Sequence, residues 1–343
     1  MKQHLNTLFV TTEGAYVAKE GEAAVVRVEG ETRLRVPLHN LGGIVCFGHV
    51  SCSPALMGAC AEAGVAISFM SMHGRFLASV QGFTPGNVLL RREQYRRADD
   101  EAATLAVARN IVAAKVANAR TVLLRGARDH AESDGRDALQ RAANRLATCV
   151  SQAQHADSSD LARGIEGESA NIYFGVFNHL ITSQRDSFAL AGRTRRPPLD
   201  PVNALLSFLY SILSHDARSA CEAAGLDAAV GFLHRDRPGR PSLALDLMEE
   251  FRSFLVDRLV LSLINRQQVK REGFTKTESG GVEMDDATRK AVLTAYQARK
   301  QDTITHPYLG EEVTVGLLVH LQARLLARHL RGDIDAYPPF IWK

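Results

Sequence analysis

The sequence predicts an α+β protein, with a small β-rich N-terminal domain over residues 1–85 and a larger all-α C-terminal domain over residues 86–343. Up to about residue 85, short runs rich in Val, Ile, Phe and Tyr alternate with polar residues, the period-two pattern of half-buried strands. From about Leu89 the apolar residues recur at helical spacing in long stretches rich in Ala, Leu and Arg. Between the two lies GFTPGN, whose Pro85 and Gly86 break both kinds of regular structure and mark a linker. A chain of 343 residues, 45% of them hydrophobic, can bury a substantial core and form two domains at roughly 100–200 residues each.

In chain order, LFVTT, AYVAKE, AAVVRVEG and RLRVPL read as strands, and Glu29-Gly30-Glu31 reads as a hairpin turn in which glycine supplies a positive φ. SPALMGACAEAG is a short helix capped by Ser53, with Pro54 at its first position and Gly64 as its stop. VAISFMS and RFLASV are two further strands. EAATLAVARNIVAAKVANARTVLL and GRDALQRAANRLATCVSQA are helices, and so is DLARGIEGESANIYFGVFNHLI. Asp200 and Pro201 open a helix that ends at Gly225. An extended GFLH then leads through a loop holding Pro238, Gly239 and Pro241 to a helix capped by Ser242. Residues 266–282 lose the helical period and are expected to form an irregular, partly exposed excursion.

No run of about 18 apolar residues occurs, so no membrane-spanning helix is expected, and MKQHLNTLFV lacks the apolar core of a signal peptide. The cytoplasm is the default location. Five cysteines without a CxxC pair fit reduced thiols and not a secreted disulfide framework. The formal net charge of +3 neither demands nor excludes a nucleic-acid partner. Arginine greatly outnumbers lysine; its planar fork suits phosphate, although a GC-rich genome gives the same bias.

Projected at about 100° per residue from Leu161, the residues Ile165, Ile172, Tyr173, Val176, Phe177 and Leu180 share one apolar arc, and Glu166 falls inside it. A carboxylate aimed at packed protein must be neutralised, hydrogen-bonded or bound to a cation, and pairing with an arginine is the plain alternative to a metal. Gly164 and Gly167 beside it suggest the close approach of another backbone or a ligand. On the helix after Ser242, Leu243, Leu247, Phe251, Phe254 and Leu255 make the apolar face. Asp246, Glu249, Glu250, Ser253 and Asp257 share the opposite side, where alone they read as a solvated acidic face. With His234 they offer an imidazole and carboxylates suited to Mn²⁺ or Mg²⁺, and no HExxH or paired-Cys zinc motif is present. Arg193, Arg195 and Arg196 precede a polar stripe of Asn203, Ser207, Tyr210 and Ser214. These residues either touch DNA backbone or, for the stripe, hydrogen-bond within the core and, for the arginines, line a solvated loop.

GIEG around Glu166, PPLDPVNALLSFLYSIL, GFLHRDRPGRPSLALDLMEEFR and the β-then-α layout together resemble the CRISPR-associated integrase family often called Cas-one, across essentially the whole chain. RRPPLDPVNALLS and the ending AYPPFIWK are most similar to members from type I-C systems. The resemblance implies a β-rich dimerisation domain and a helical domain holding one divalent metal, Mn²⁺ or Mg²⁺. Its ligands would be Glu166, His234 and Glu249, with Asp246 as a further ligand or as a partner of one. It also implies a homodimer that joins the small second CRISPR-associated protein (Cas-two) and works with an end-trimming nuclease of the Cas-four type. The implied reaction is transesterification, in which the 3′ hydroxyl of a captured DNA fragment attacks a phosphodiester at the boundary of a CRISPR repeat. With water as nucleophile, the same site would be an endonuclease. Two other readings compete: a non-catalytic DNA-binding scaffold and a metallohydrolase of small molecules, the latter needing an enclosed pocket instead of an open basic groove.

Overall fold

The computed structural model describes residues 6–72, 76–80, 82, 88–129 and 134–342. The N-terminal part holds β1 (Asn6–Val10), β2 (Tyr16–Glu20), β3 (Ala23–Val28), β4 (Glu31–Pro37), β5 (Leu41–Phe47), β6 (Ser51–Cys52), helix α1 (Pro54–Ala63), β7 (Ala66–Met70) and β8 (Phe76–Val80). These strands form two four-stranded sheets, in the orders β1-β5-β7-β8 and β4-β3-β2-β6. The turn between β3 and β4 has φ of 53° at Glu29 and 84° at Gly30, the doubly left-handed geometry that matches strand twist in a two-residue hairpin. Helix α1 starts and stops as its sequence predicts: Ser53 Oγ accepts the Leu56 N–H at 3.1 Å, Pro54 is the first residue, and Gly64 turns out at φ 66°.

Val17, Ile44, Leu56 and Ile67 belong to a core internal to this part. Val45, Phe47 and Met70 join a second, larger core made with the helices, where Phe47 meets Phe208 at 5.9 Å between ring centroids. The helices are α2 (Val88–Asp99), α3 (Glu101–Asp129), α4 (Asp134–Gln154), α5 (Ser159–Gly175), α6 (Pro201–Ala223), α7 (Ser242–Glu249), α8 (Arg258–Asn265), α9 (Asp286–Gln301) and α10 (Leu318–Leu330), with a π-helical turn at Arg252–Asp257 before α8. A polar joint crosses between the two parts. Ser68 Oγ lies 2.8 Å from His215 Nδ1, and Lys300 donates to Thr7 Oγ1 at 3.1 Å and to Asp216 at 3.0 Å. The expected linker GFTPGN and the boundary at residues 85 and 86 lie outside the described residues, apart from Gly82.

Four sequence expectations change. The C-terminal part is mainly helical but not all-α, since β9 (Phe274–Lys276) pairs with β10 (Val282–Met284) and β11 (Thr303–Thr305) with β12 (Glu312–Thr314). Three-residue strands are too short to impose an alternating pattern, and the first pair lies partly within the segment expected to be irregular. Ser242 does not cap α7; it is the first helical residue, and its Oγ donates to the Arg235 carbonyl at 3.3 Å. Helix α5 ends at Gly175, so Val176, Phe177 and Leu180 lie beyond it and Leu161 is left 46% exposed. The acids after Ser242 do not form a solvated face: Asp246, Glu249, Glu250 and Asp257 are all buried, because α7 and the π-helical turn are wrapped by α3, α6 and α10.

Candidate metal centre

Helix α7 carries Asp246 and Glu249 into the interior, and Asp246 shapes the loop that presents His234. Its Oδ2 accepts the N–H groups of Phe232 at 2.6 Å and Leu233 at 2.9 Å, while Oδ1 accepts the His234 N–H at 2.9 Å and faces His234 Nδ1 at 2.6 Å. Both carboxylate oxygens are thereby spent on holding the loop. Gly231 makes this approach feasible, since a Cβ there would stand 2.7 Å from Asp246 Oδ2 and 2.9 Å from Ser242. With Nδ1 engaged, the imidazole turns Nε2 toward Glu249, 3.9 Å from its Oε1. The other edge of His234 borders an open cleft of about 600 Å³ whose wall includes Tyr95, Arg163 and Arg235.

Glu166 reaches the same place from α5. Its side chain is 28% exposed, so it is half-buried where the helical arc suggested full burial, and its partner is a lysine where an arginine had been the alternative. Lys115, from the middle of α3, donates to Glu166 Oε1, and its Nζ also lies 2.7 Å from Glu249 Oε2. The two carboxylates therefore clasp one ammonium. Gly164 and Gly167 have nothing within 4 Å of where a Cβ would stand, so no second backbone crowds that face of α5. Arg163, on the same helix, ties α5 to the histidine loop by donating to the Leu233 carbonyl at 3.1 Å.

Burial alone would raise the pKa of Glu249, but the Arg252 guanidinium, the Lys115 ammonium and His234 overcome it and pull the carboxyl down to about 2. Arg252 Nε lies 2.9 Å from Glu249 Oε1. Glu249 is thus an anion at neutral pH, held between two cations. Its Oε2 is buried, with the Lys115 Nζ 2.7 Å away. Two carboxylates and an imidazole are a donor set for a hard divalent ion. Among the described residues no three His, Cys, Asp or Glu side chains already close into a coordination sphere. Lys115 stands between the carboxylates as their cation. The residues fit a divalent ion in kind, and its entry needs the Lys115 side chain to withdraw.

Three of the residues considered for DNA contact are committed inside the protein. Asn203 is fully buried, donates to the Gly192 carbonyl at 2.8 Å and accepts from Arg193 at 2.6 Å. Arg193 also donates to Ser207 at 3.2 Å, and Tyr210 donates to Asp257 at 2.5 Å. Asn203 and Tyr210 of the stripe on α6 are buried in this network, with Ser207 half-buried beside them, whereas Arg195 and Arg196 are exposed. Sequence reasoning passed over Lys115 and Arg252, the two cations that set the charge of the site. Their signal was faint: Lys115 interrupts a nearly continuous apolar, Ala-rich stretch, and Arg252 follows Glu249 by one helical turn.

The family model described as CRISPR associated protein Cas1 matches residues 8–298. The CRISPR-associated endonuclease Cas1 1 of Chlorobaculum tepidum is 56% identical over 343 residues and covers both chains fully. The CRISPR-associated exonuclease Cas4/endonuclease Cas1 fusion of Rhodospirillum rubrum is 38% identical over 336 residues, covering 97% of this chain and 57% of the fusion. Among solved structures, a casposase bound to its integration product superposes with a TM-score of 0.84 at 21% identity, over 99% of this chain and 95% of the casposase, a likeness of fold.

Proposed function

The chain belongs to the family of CRISPR-associated Cas1 proteins, and from that premise we propose that it is a metal-dependent DNA endonuclease and integrase of CRISPR adaptation, joining captured DNA to the repeat array by transesterification. The observation that carries the reading is the convergence of Glu166 and Glu249 on one cationic point, with His234 Nε2 beside them. Glu166, His234 and Glu249 would hold Mn²⁺ or Mg²⁺, and the bound ion would supply Lewis acidity toward a phosphate oxygen. The remaining work falls to the protein. Asp246 fixes the imidazole through Nδ1, so the ring meets its partners through Nε2 alone. Arg252 and Lys115 keep Glu249 ionised although it is itself buried. The cleft beside His234 is open, as a polymer substrate needs. In the joining step, the oxygen of a 3′ hydroxyl forms a bond to phosphorus, and the bond from that phosphorus to the outgoing 3′ oxygen breaks. The outgoing oxygen takes up the proton that the attacking hydroxyl gives up, so the phosphodiester count is unchanged.

The proposal extends to the assembly. Residues 1–85 would form the dimerisation unit of a homodimer in the cytoplasm, alongside the small second protein of the system and a Cas4-type nuclease. The Cas4/Cas1 fusion among the relatives supports the latter partner. Assignment to type I-C rests on RRPPLDPVNALLS and AYPPFIWK. Strand joining with a labelled fragment and a repeat-containing duplex tests the core of the reading. Glu166→Ala, His234→Ala and Glu249→Ala should each abolish Mn²⁺-dependent joining and keep DNA affinity near that of the wild type. Undiminished joining in any of them overturns the assignment, and joining that ignores Mn²⁺ and Mg²⁺ overturns the metal.

A further inference from the structure

Helix α3 and the segment from α7 through α8 leave the candidate metal centre in the same direction. Lys115 meets Glu249, Asn118 meets Glu250, and further along both there is an open cleft of about 450 Å³. Among the described residues its lining carries Arg125, Arg128, Arg258 and Arg266 against one carboxylate, Asp129, a formal excess of +3. Two of the four are fixed by one ring. Arg125 lies 3.7 Å and Arg258 4.2 Å from the centroid of Trp342, the aromatic residue next to the chain's last. Burial, with Arg299 and Arg125 adding repulsion, lowers the pKa of Arg258 to about 10. Asp302, the carboxylate that opposes this, is paired to Arg299 at 2.6 Å. Like charges gathered on one aromatic ring repel one another, and the phosphates of a bound strand would offset that repulsion.

We propose that this cleft is a second phosphate-binding site, which grips the sugar-phosphate backbone of DNA engaged at the metal centre; the inference rests on the proposed function. Arg125 lies ten residues beyond Lys115 on α3, about 15 Å at roughly 1.5 Å per residue. That span is about four nucleotides at roughly 3.4 Å per step of one strand. Of the residues that α3 gives the cleft, Val122, Gly126 and Asp129 fall within about 40° of Lys115 around the helix at roughly 100° per residue, and Arg125 and Arg128 lie about 80° and 140° round from it, so a strand leaving the metal centre would wind part-way around α3 to reach them. Four guanidiniums spread over an open cleft suit successive phosphates better than one small enclosed anion.

Arg128 and Arg266 are exposed, so the double variant Arg128→Glu/Arg266→Glu tests the site with little risk to folding. Binding of a fluorescein-labelled DNA duplex, followed by anisotropy across a salt series, should weaken at least about tenfold. The slope of log K against log salt should shrink by about two, at roughly 0.9 for each phosphate no longer neutralised. Mn²⁺ binding by calorimetry should match the wild type. If wild-type protein binds the duplex in a salt-dependent way and the variant keeps both affinity and slope, the cleft is not a DNA site and the metal-centre reading stands. If the wild type itself fails to bind DNA, the proposed function falls as well. Should the variant lose only a polyglutamate peptide and keep DNA, the cleft is a protein dock and the proposal is overturned. The neutral pair Arg128→Gln/Arg266→Gln, expected to lose about half the effect, substitutes if the reversed charges lower the unfolding midpoint.

Discussion

Asp246 Oδ1 sits 2.6 Å from His234 Nδ1, and the same buried carboxylate gathers three consecutive backbone N–H groups, from Phe232 to His234. Asp246→Asn should therefore be far more disruptive than its size suggests. An amide must point its NH₂ at one set of donors, leaving buried N–H groups facing N–H groups. We expect a loss of about 3 kcal/mol in stability, in line with breaking charge-assisted buried hydrogen bonds. Mn²⁺ affinity should fall about 10–100-fold, because the imidazole loses the partner that orients it. Wild-type Mn²⁺ affinity in titration calorimetry would sink this role for Asp246.

That arrangement also shows what a sequence does and does not disclose. Strand alternation before residue 85, the capped start of α1 and the Asp200-Pro201 start of α6 depend on local chemistry, and each could be read directly. Glu166 stood out because a carboxylate within an apolar arc is anomalous by itself, although it proves half-buried and Leu161 of that arc is exposed. Asp246, Glu249 and Asp257 were not, because periodicity separates polar from apolar stripes without saying which faces water. Around α7 both stripes are inside. Lys115 was invisible for the opposite reason: a single lysine on a long helix ordinarily extends its ammonium to solvent. Only the packing of α5 and α7 on α3 turns it inward, onto two carboxylates.

Lys115→Met removes the cation between Glu166 and Glu249 while keeping an unbranched side chain one atom shorter. Metal-free protein should lose about 2–3 kcal/mol, since two carboxylates then face each other with only Arg252 to offset them. Added Mn²⁺ should raise the unfolding midpoint of the variant more than that of the wild type, because the ion no longer has to displace an ammonium. Equal Mn²⁺ shifts in the two proteins would show that Lys115 does not occupy the place of the metal.

His215 makes the joint between β7 and α6 sensitive to acid. Burial lowers its pKa to about 4; Asp216 pulls the other way, while Lys300 and Arg218 add to the lowering. In the unfolded chain the imidazole protonates near its ordinary value of about 6.5. Below that pH the unfolded state binds the extra proton, so this contribution to stability is complete above about pH 6.5 and is lost as pH falls toward 4. At about 1.4 kcal/mol per unit the total is about 3 kcal/mol. Urea unfolding at a series of pH values should give a shallower dependence between pH 6.5 and 4 for His215→Gln than for the wild type. Superimposable profiles would exclude His215 as the source.

Asn118 pins the C-terminal strap to the helical core, and its loss should be felt at two distant places. Its Nδ2 donates to the Glu250 carbonyl at 2.8 Å and the Phe340 carbonyl at 2.9 Å, and its Oδ1 accepts the Trp342 N–H at 2.8 Å, all without exposure to water. Asn118→Ala strands three backbone groups, one of them on the residue after Glu249. The cost should be about 3 kcal/mol, less than three full desolvation penalties because the strap can move to rehydrate. Phe340 still packs on Phe251 and Phe254 at 5.1 Å, so the strap should loosen at Trp342 before it detaches. Hydrogen exchange should then rise first at residues 340–342. Trp342 is also the platform for Arg125 and Arg258, so the same substitution should weaken duplex binding severalfold although it lies outside the arginine cleft. Faster exchange with unchanged DNA affinity would separate the strap from the cleft and leave Trp342 a purely structural part.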